Sequence, residues 1–274
     1  MITEIEFRQI EQKVKDAVEQ VFDYIKNRCK EENYILFLAD AEFNKMIKVN
    51  NINPNVIDSR EDRIKDQTRF KFFLEVLNNF FHFPEGVLET KDNEYKLSIE
   101  LMVYTHIWES KPYLKQLFRI ASLANAQTYT WDVNVPEMGK HSFIRNQIRD
   151  VFKTKALLIG SIISKGFHSS LRNAFAHSEY LIDEGEQIIM LDTYQSVRWD
   201  IREISFKDWT KRFLYTALLS YYIFDEKFKR RSSVVDDFGK DKFLINLPDR
   251  SNVIKEVYIY YDSKTDMFSF YKRN

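Results

Sequence analysis

TKALLIGSIISKGFHSSLRNAFAH, residues 154–177, sets apolar side chains at Ile159, Ile163, Phe167, Leu171 and Phe175. That four-residue spacing, with Ile162 and Ala174 beside it, marks a helix with one buried face. The stretch predicts a single long helix from Thr154 to Ala176. On such a helix Arg172 stands off the apolar ladder, stacked above His168 and Lys165, and Ser169, Asn173 and His177 form the neighbouring row. The helix thus ends in a polar corner, Arg172-Asn173-Ala174-Phe175-Ala176-His177, that combines a permanent cation, an amide and a titratable imidazole. Five residues of unbroken helix separate Arg172 and His177 by about 140°. They converge on one phosphate only if the helix loosens near His177 or another chain supplies the second group.

Working outward, the pattern stays mostly helical. Upstream, Phe7, Ile10, Val14, Ala17, Val21 and Tyr24 predict an amphipathic helix over 3–31. Further helices are expected over Tyr34–Lys48, Glu61–Phe81, Tyr95–Glu109, Pro112–Ala126 and Ser142–Val151, with an irregular loop at Thr128–Lys140. Pro112 suits the first turn of its helix. Downstream the period shortens to two. Tyr180–Asp183, Gln187–Asp192 and Ile201–Phe206 read as extended, with Glu184-Gly185 as a turn. Ser205 with Asp208 resembles a capping box opening a last long helix, Lys207–Arg231. Val253–Tyr261 and Met267–Lys272 flank a polar turn and suggest a terminal hairpin.

Composition agrees. The 274 residues are 44% hydrophobic and 15% aromatic, enough for a sizeable core. Only 6 Gly and 5 Pro occur, where average usage would give about 19 and about 14. Charge is balanced, with 41 basic and 41 acidic residues, so global electrostatics does not indicate nucleic acid or membrane. A single cysteine, Cys29, excludes a disulfide framework and a cysteine zinc site. The N-terminus lacks the basic-then-apolar design of a signal peptide, and the longest apolar run, Ala156–Ile163, is too short to span a bilayer. A cytoplasmic protein without membrane contact is the expectation.

Locally the charge is uneven. Between residues 141 and 177, Arg145, Arg149, Lys153, Lys155, Lys165 and Arg172 face only Asp150, a net +5. Residues 178–204 carry a net −5. Either the two blocks are solvated faces that pair with each other, or the basic one is a polyanion site beside an acidic hairpin. Glycine-rich phosphate loops, H-E-x-x-H and G-x-S-x-G are absent from the sequence. His177, Glu179 and Asp183 straddle a helix-to-strand change and lack a clear fourth ligand, so no metal is assigned.

RNAFAH, within HSSLRNAFAHSEY, resembles the signature of the HEPN superfamily, helical domains found in many prokaryotic RNases, toxins and phage-defence proteins. That signature is Arg, four to six residues, then His, commonly with Asn, Asp or His after the Arg. It is matched here at Arg172, Asn173 and His177. WESKPYLKQLFRIASLAN (108–125) and ISFKDW (204–209) are similar to what flanks the motif in longer members. The resemblance covers about 93–231, giving a division into an N-terminal helical region (1–92), a HEPN-like helical domain (93–231) and a C-terminal tail with a β-hairpin (232–274). The expected fold is mainly α: a HEPN-like bundle with an N-terminal helical extension and small β-hairpins after the motif helix and at the C-terminus.

The resemblance implies RNA as substrate, no cofactor, and a homodimer with a composite active site, which would bring a second motif across the 140° gap. It also implies a toxin or antiviral effector held by an antitoxin or other regulatory partner. In RNA cleavage of this kind the ribose 2′-OH attacks the adjacent phosphate. His177 would move protons, Arg172 would hold the phosphate, and Asn173 would orient the arginine or donate to a phosphate oxygen. Lys165 and His168 would track the RNA backbone. The competing expectation is a non-catalytic module binding nucleotide, RNA or protein, in which Arg172 pairs with a carboxylate, for instance of the acidic hairpin. His177 would then simply complement the helix dipole.

Overall fold

A capping box starts the first helix: the Thr3 hydroxyl accepts from the Glu6 amide at 3.2 Å while the Glu6 carboxylate accepts from the Thr3 amide at 3.1 Å. From there α1 (Glu4–Arg28) buries Phe7, Ile10, Val14, Ala17 and Val21 of the predicted stripe, while its last member, Tyr24, is half-buried and Ile25 takes the core position beside it. The computed structural model describes residues 1–49, 51–58, 60–192 and 200–271. After α1 come α2 (Glu31–Leu38), the short strands β1 (Glu42–Phe43) and β2 (Asn55–Val56), α3 (Arg60–Phe80), α4 (Glu94–Glu109) and α5 (Lys111–Ala124). A helical segment with a π-helical middle follows: α6 (Lys140–Ser142), the π stretch Phe143–Arg149, and α7 (Asp150–Thr154). Then come α8 (Leu158–Gly166), α9 (Ser169–Ala176), β3 (Tyr180–Asp183), β4 (Ile188–Leu191) and β5 (Glu203–Ser205). The chain ends with α10 (Phe206–Ser232), α11 (Val234–Phe238), β6 (Lys242–Pro248), β7 (Ile254–Asp262) and β8 (Met267–Ser269).

The chain is mainly helical, with small antiparallel sheets. α10 is the long axis of the bundle; α1, α8, α4 and α3 pack against it, and α1 also lies on α5 and α8. Residues of the predicted N-terminal region and of the predicted central domain therefore share one core, whose largest side chains include Trp108, Trp209, Tyr104 and Phe213. Ser205 caps α10 through the Asp208 amide at 3.1 Å, as the sequence suggests. No helix among the described residues is long and apolar enough to cross a membrane.

Three expectations need correction. The helix predicted over Tyr34–Lys48 stops at Leu38, because Asp40 takes a left-handed conformation (φ 46°) and its carboxylate is drawn in toward Lys227 and Arg231 on α10. The C-terminal hairpin is a three-stranded antiparallel sheet: β6 adds to β7 and β8, placing Phe243, Ile245, Ile259, Tyr261 and Phe268 inward. Lys272, the predicted end of its last strand, lies outside the described residues.

The third correction concerns the opening stretch, which is not one helix. α7, α8 and α9 are separate, and the break before the motif falls at Phe167 (φ −83°, ψ 133°) and His168 (φ −141°, ψ 128°), both extended. Its cause is close packing. At Gly166 α8 meets α10 so tightly that a Cβ would lie 2.9 Å from Thr216 Oγ1 and 3.3 Å from Thr216 N. Side chains satisfy the backbone groups freed there. The Tyr104 hydroxyl donates to the Gly166 carbonyl at 3.3 Å and accepts from the His168 amide at 3.0 Å. The five apolar residues of the ladder are still all buried, but they reach the core from two helices.

Candidate functional site

Helix α9 is eight residues long and carries the motif. Leu171, Ala174 and Phe175 fix it in the core, with the Phe175 ring 4.9 Å from Trp209 and 6.0 Å from Tyr104. The polar residues take the remaining faces. The helix does not loosen before His177, whose amide still bonds to the Asn173 carbonyl at 3.1 Å. It ends immediately after, in a Schellman turn: Ser178 is left-handed (φ 59°), its amide donates to Phe175, and the Glu179 amide donates to Ala174. His177 is exposed at this C-terminal corner and Asn173 is half-buried below it. The 140° separation from Arg172 therefore persists within one chain.

Arg172 points to α4. Its guanidinium Nη1 pairs with Glu109 Oε1 at 2.9 Å, and its side chain is 14% exposed. Glu109 Oε2 is held in turn by the Lys140 ammonium. One carboxylate thus sits between two cations, and the cluster stays net positive. The partner of Arg172 is not a residue of the acidic hairpin. Arg172 Nε is buried without a hydrogen-bond partner, so the guanidinium is held on one edge only. Beside this pair a groove of about 360 Å³ runs along the α4–α9 seam, lined by Met102, Thr105, His106 and Glu109 on one side and by Ala176 and Tyr180 on the other.

The backbone break moves the other two predicted site residues. Lys165 is exposed at the end of α8, its ammonium 5.3 Å above the Tyr215 ring, and no longer shares a helical face with Arg172. His168 is the N-cap of α9; its Nδ1 accepts from the Ser170 amide at 3.2 Å. Burial, helped by the charge of Arg212, lowers its pKa. The structure thus keeps Arg172, Asn173 and His177 on one short helix, Arg172 turned to α4 and His177 at the C-terminal corner, and sets His168 at the N-terminal end.

Glu109, Lys140, Tyr104 and Arg212 also shape the site, and no motif or spacing in the sequence points to them. Their partners lie far away in the chain, where no spacing rule reaches. Among the described residues no group of three or more His, Cys, Asp and Glu side chains is placed to hold a metal ion. Compared with family models, curated proteins and solved structures, the chain matches none.

Proposed function

We propose that the chain is a metal-independent endoribonuclease of the HEPN type, an effector of growth arrest or phage defence. The observation that carries this reading is that one short helix bears Arg172, Asn173 and His177, with a net-positive cluster and a groove beside Arg172. The nucleophile comes from the substrate. The ribose 2′-OH attacks the adjacent phosphorus, the bond to the 5′-oxygen breaks, and a 2′,3′-cyclic phosphate and a 5′-hydroxyl result. His177, exposed at the corner, takes the 2′-OH proton or returns one to the 5′-oxygen. Arg172 donates to the phosphate from the edge that Glu109 leaves open and offsets the charge of the transition state. Because Arg172 and His177 diverge, a second copy supplies the complementary half of the site, and the working form is a homodimer, with an antitoxin or other partner as its restraint.

The Arg172–Glu109 pair favours a second reading, a non-catalytic module that uses the same face to bind nucleotide, RNA or protein. The test is end-labelled single-stranded RNA in EDTA with wild type and His177→Ala. The expected result is cleavage by wild type and a rate lower by about 10²–10⁴-fold in the variant, the usual worth of a general acid or base. Equal rates, or cleavage abolished by the chelator, would overturn the proposal. RNA bound and left uncut by both proteins would establish the second reading.

A further inference from the structure

The groove between α4 and α9 has two walls of unlike chemistry. Its volume of about 360 Å³ falls within the range of small-molecule sites, roughly 300–1,000 Å³. Helix α4 supplies Leu101, Thr105 and Glu109, at four-residue spacing along one face, with His106 beside them. Facing them are the last turn of α9, with Phe175 and Ala176, and Tyr180 at the start of β3. Leu101 and Phe175 are buried, whereas His106 and Ala176 are exposed at the rim.

Position ties the groove to the motif. Glu109, at one end of the α4 wall, pairs with Arg172 Nη1 at 2.9 Å. Ala176 lies one turn after Arg172, about 6 Å along α9. A phosphate held by Arg172 therefore has the groove directly beside it. Two rings line that groove. Tyr180 is set edge-on to Phe175, with centroids 5.4 Å apart and planes at 82°, and His106 is set against Phe73 at 6.4 Å and 70°. Burial, helped by the charge of Arg69, lowers the pKa of His106, so at neutral pH its imidazole offers one donor and one acceptor. Thr105 adds a hydroxyl oxygen that is buried without a hydrogen-bond partner, a group that the polar edge of a ligand would satisfy. Among the described residues no Lys or Arg lines the groove, which suits a flat aromatic group better than a second phosphate. Unpaired bases of RNA are recognised by this combination, stacking on Tyr or His rings and hydrogen bonds to the base edge.

We infer that the α4–α9 groove is a nucleobase subsite: it takes the unpaired base of the nucleotide whose phosphate Arg172 holds, stacked on Tyr180, with His106 and Thr105 at the base edge. The subsite deepens the ribonuclease reading and rests on its RNA substrate. It directs cleavage to single-stranded segments, because a base has to leave its stack to enter the groove.

The probe is an oligonucleotide of alternating 2-aminopurine and uridine, fully 2′-O-methylated so that 2′-OH attack cannot cut it. 2-Aminopurine loses fluorescence when it stacks on an aromatic ring, so quenching reports entry of the base and a titration gives the affinity. Wild type is compared with Tyr180→Ala, Tyr180→Phe, His106→Ala and Leu181→Ala. Leu181 is the control: it follows Tyr180 on β3, points to the opposite face and is exposed. Wild type and Leu181→Ala are expected to quench the probe alike. Tyr180→Ala loses the quenching and binds about 10-fold more weakly, whereas Tyr180→Phe keeps the ring and behaves as wild type. His106→Ala also weakens quenching; its position is exposed, so it decides the matter if Tyr180→Ala does not fold. Quenching retained by both alanine variants, binding by wild type without quenching, or no binding overturns the subsite. Cleavage of unmodified RNA that depends on His177, without quenching of the probe, would remove the subsite and leave the ribonuclease reading standing. Quenching lost in Tyr180→Ala, together with a His177→Ala variant as active as wild type, would do the reverse.

Discussion

Glu100→Gln converts a buried ionisable anchor beneath the motif helix into a neutral one, and the pH dependence of stability should change with it. Glu100 lies fully buried on α4. Its Oε2 accepts from the Trp209 indole at 2.9 Å, and Trp209 is the ring against which Phe175 of α9 packs. Oε1 makes no hydrogen bond and stands 3.7 Å from the Lys96 ammonium, which is committed to Asp92 at 2.6 Å. Burial, only partly opposed by Lys96, pushes the carboxyl from 4.5 up to about 8. The native state therefore keeps a proton that the unfolded chain gives up. The stability tied to that proton is fully present below pH 4.5 and is lost as pH rises through about 8. Each pH unit within that window costs about 1.4 kcal/mol. Glutamine keeps an oxygen for Trp209 and has no proton to lose. Urea unfolding of both proteins at several pH values isolates the group, because every other titration is common to the two. From pH 5 to pH 7 the stability of the variant relative to wild type is expected to rise by roughly 2–3 kcal/mol. A difference that stays flat with pH, or falls, would refute the assignment of a protonated, desolvated carboxyl.

Other perturbations probe the frame around the site. Leu171→Ala empties a fully buried position on α9 and should cost about 2–5 kcal/mol in denaturant unfolding. Gly166→Ala forces a methyl against Thr216; a loss of about 1–3 kcal/mol is expected, read as a lowered melting temperature. Arg231→Met withdraws the guanidinium that joins Asp58 at 2.8 Å, Asp266 at 2.7 Å and the Leu38 carbonyl at 2.8 Å. It should cost about 3–5 kcal/mol, and hydrogen exchange should show β7 and β8 losing protection first.

Where a helix follows from its own sequence, the reading was close. The α1 stripe, the Ser205 cap of α10 and the switch to period two after Ser178 are local signals, each decided within one or two turns. The break at Phe167–His168 was not legible, because a continuous apolar ladder looks the same whether one helix or two deliver it. What separates them is the contact of Gly166 with Thr216, fifty residues away. β6 did carry a signal, the alternation Lys242-Phe243-Leu244-Ile245-Asn246, in which only Phe243 and Ile245 are buried. At the site, Arg172, Asn173 and His177 stood out as a polar corner on an apolar helix. Glu109 did not, since a glutamate at a helix end is ordinary until the fold brings an arginine to it.

The central claim is that His177 moves the proton in a 2′-OH attack, and the ends of the RNA fragments test it most directly. Mass spectrometry of RNA incubated in EDTA with wild type should find 2′,3′-cyclic phosphate, or its hydrolysed monophosphate, opposite a 5′-hydroxyl. His177→Ala should leave the RNA intact. Fragments ending in a 3′-hydroxyl and a 5′-phosphate, or the same fragments from the variant at the same rate, would contradict the account.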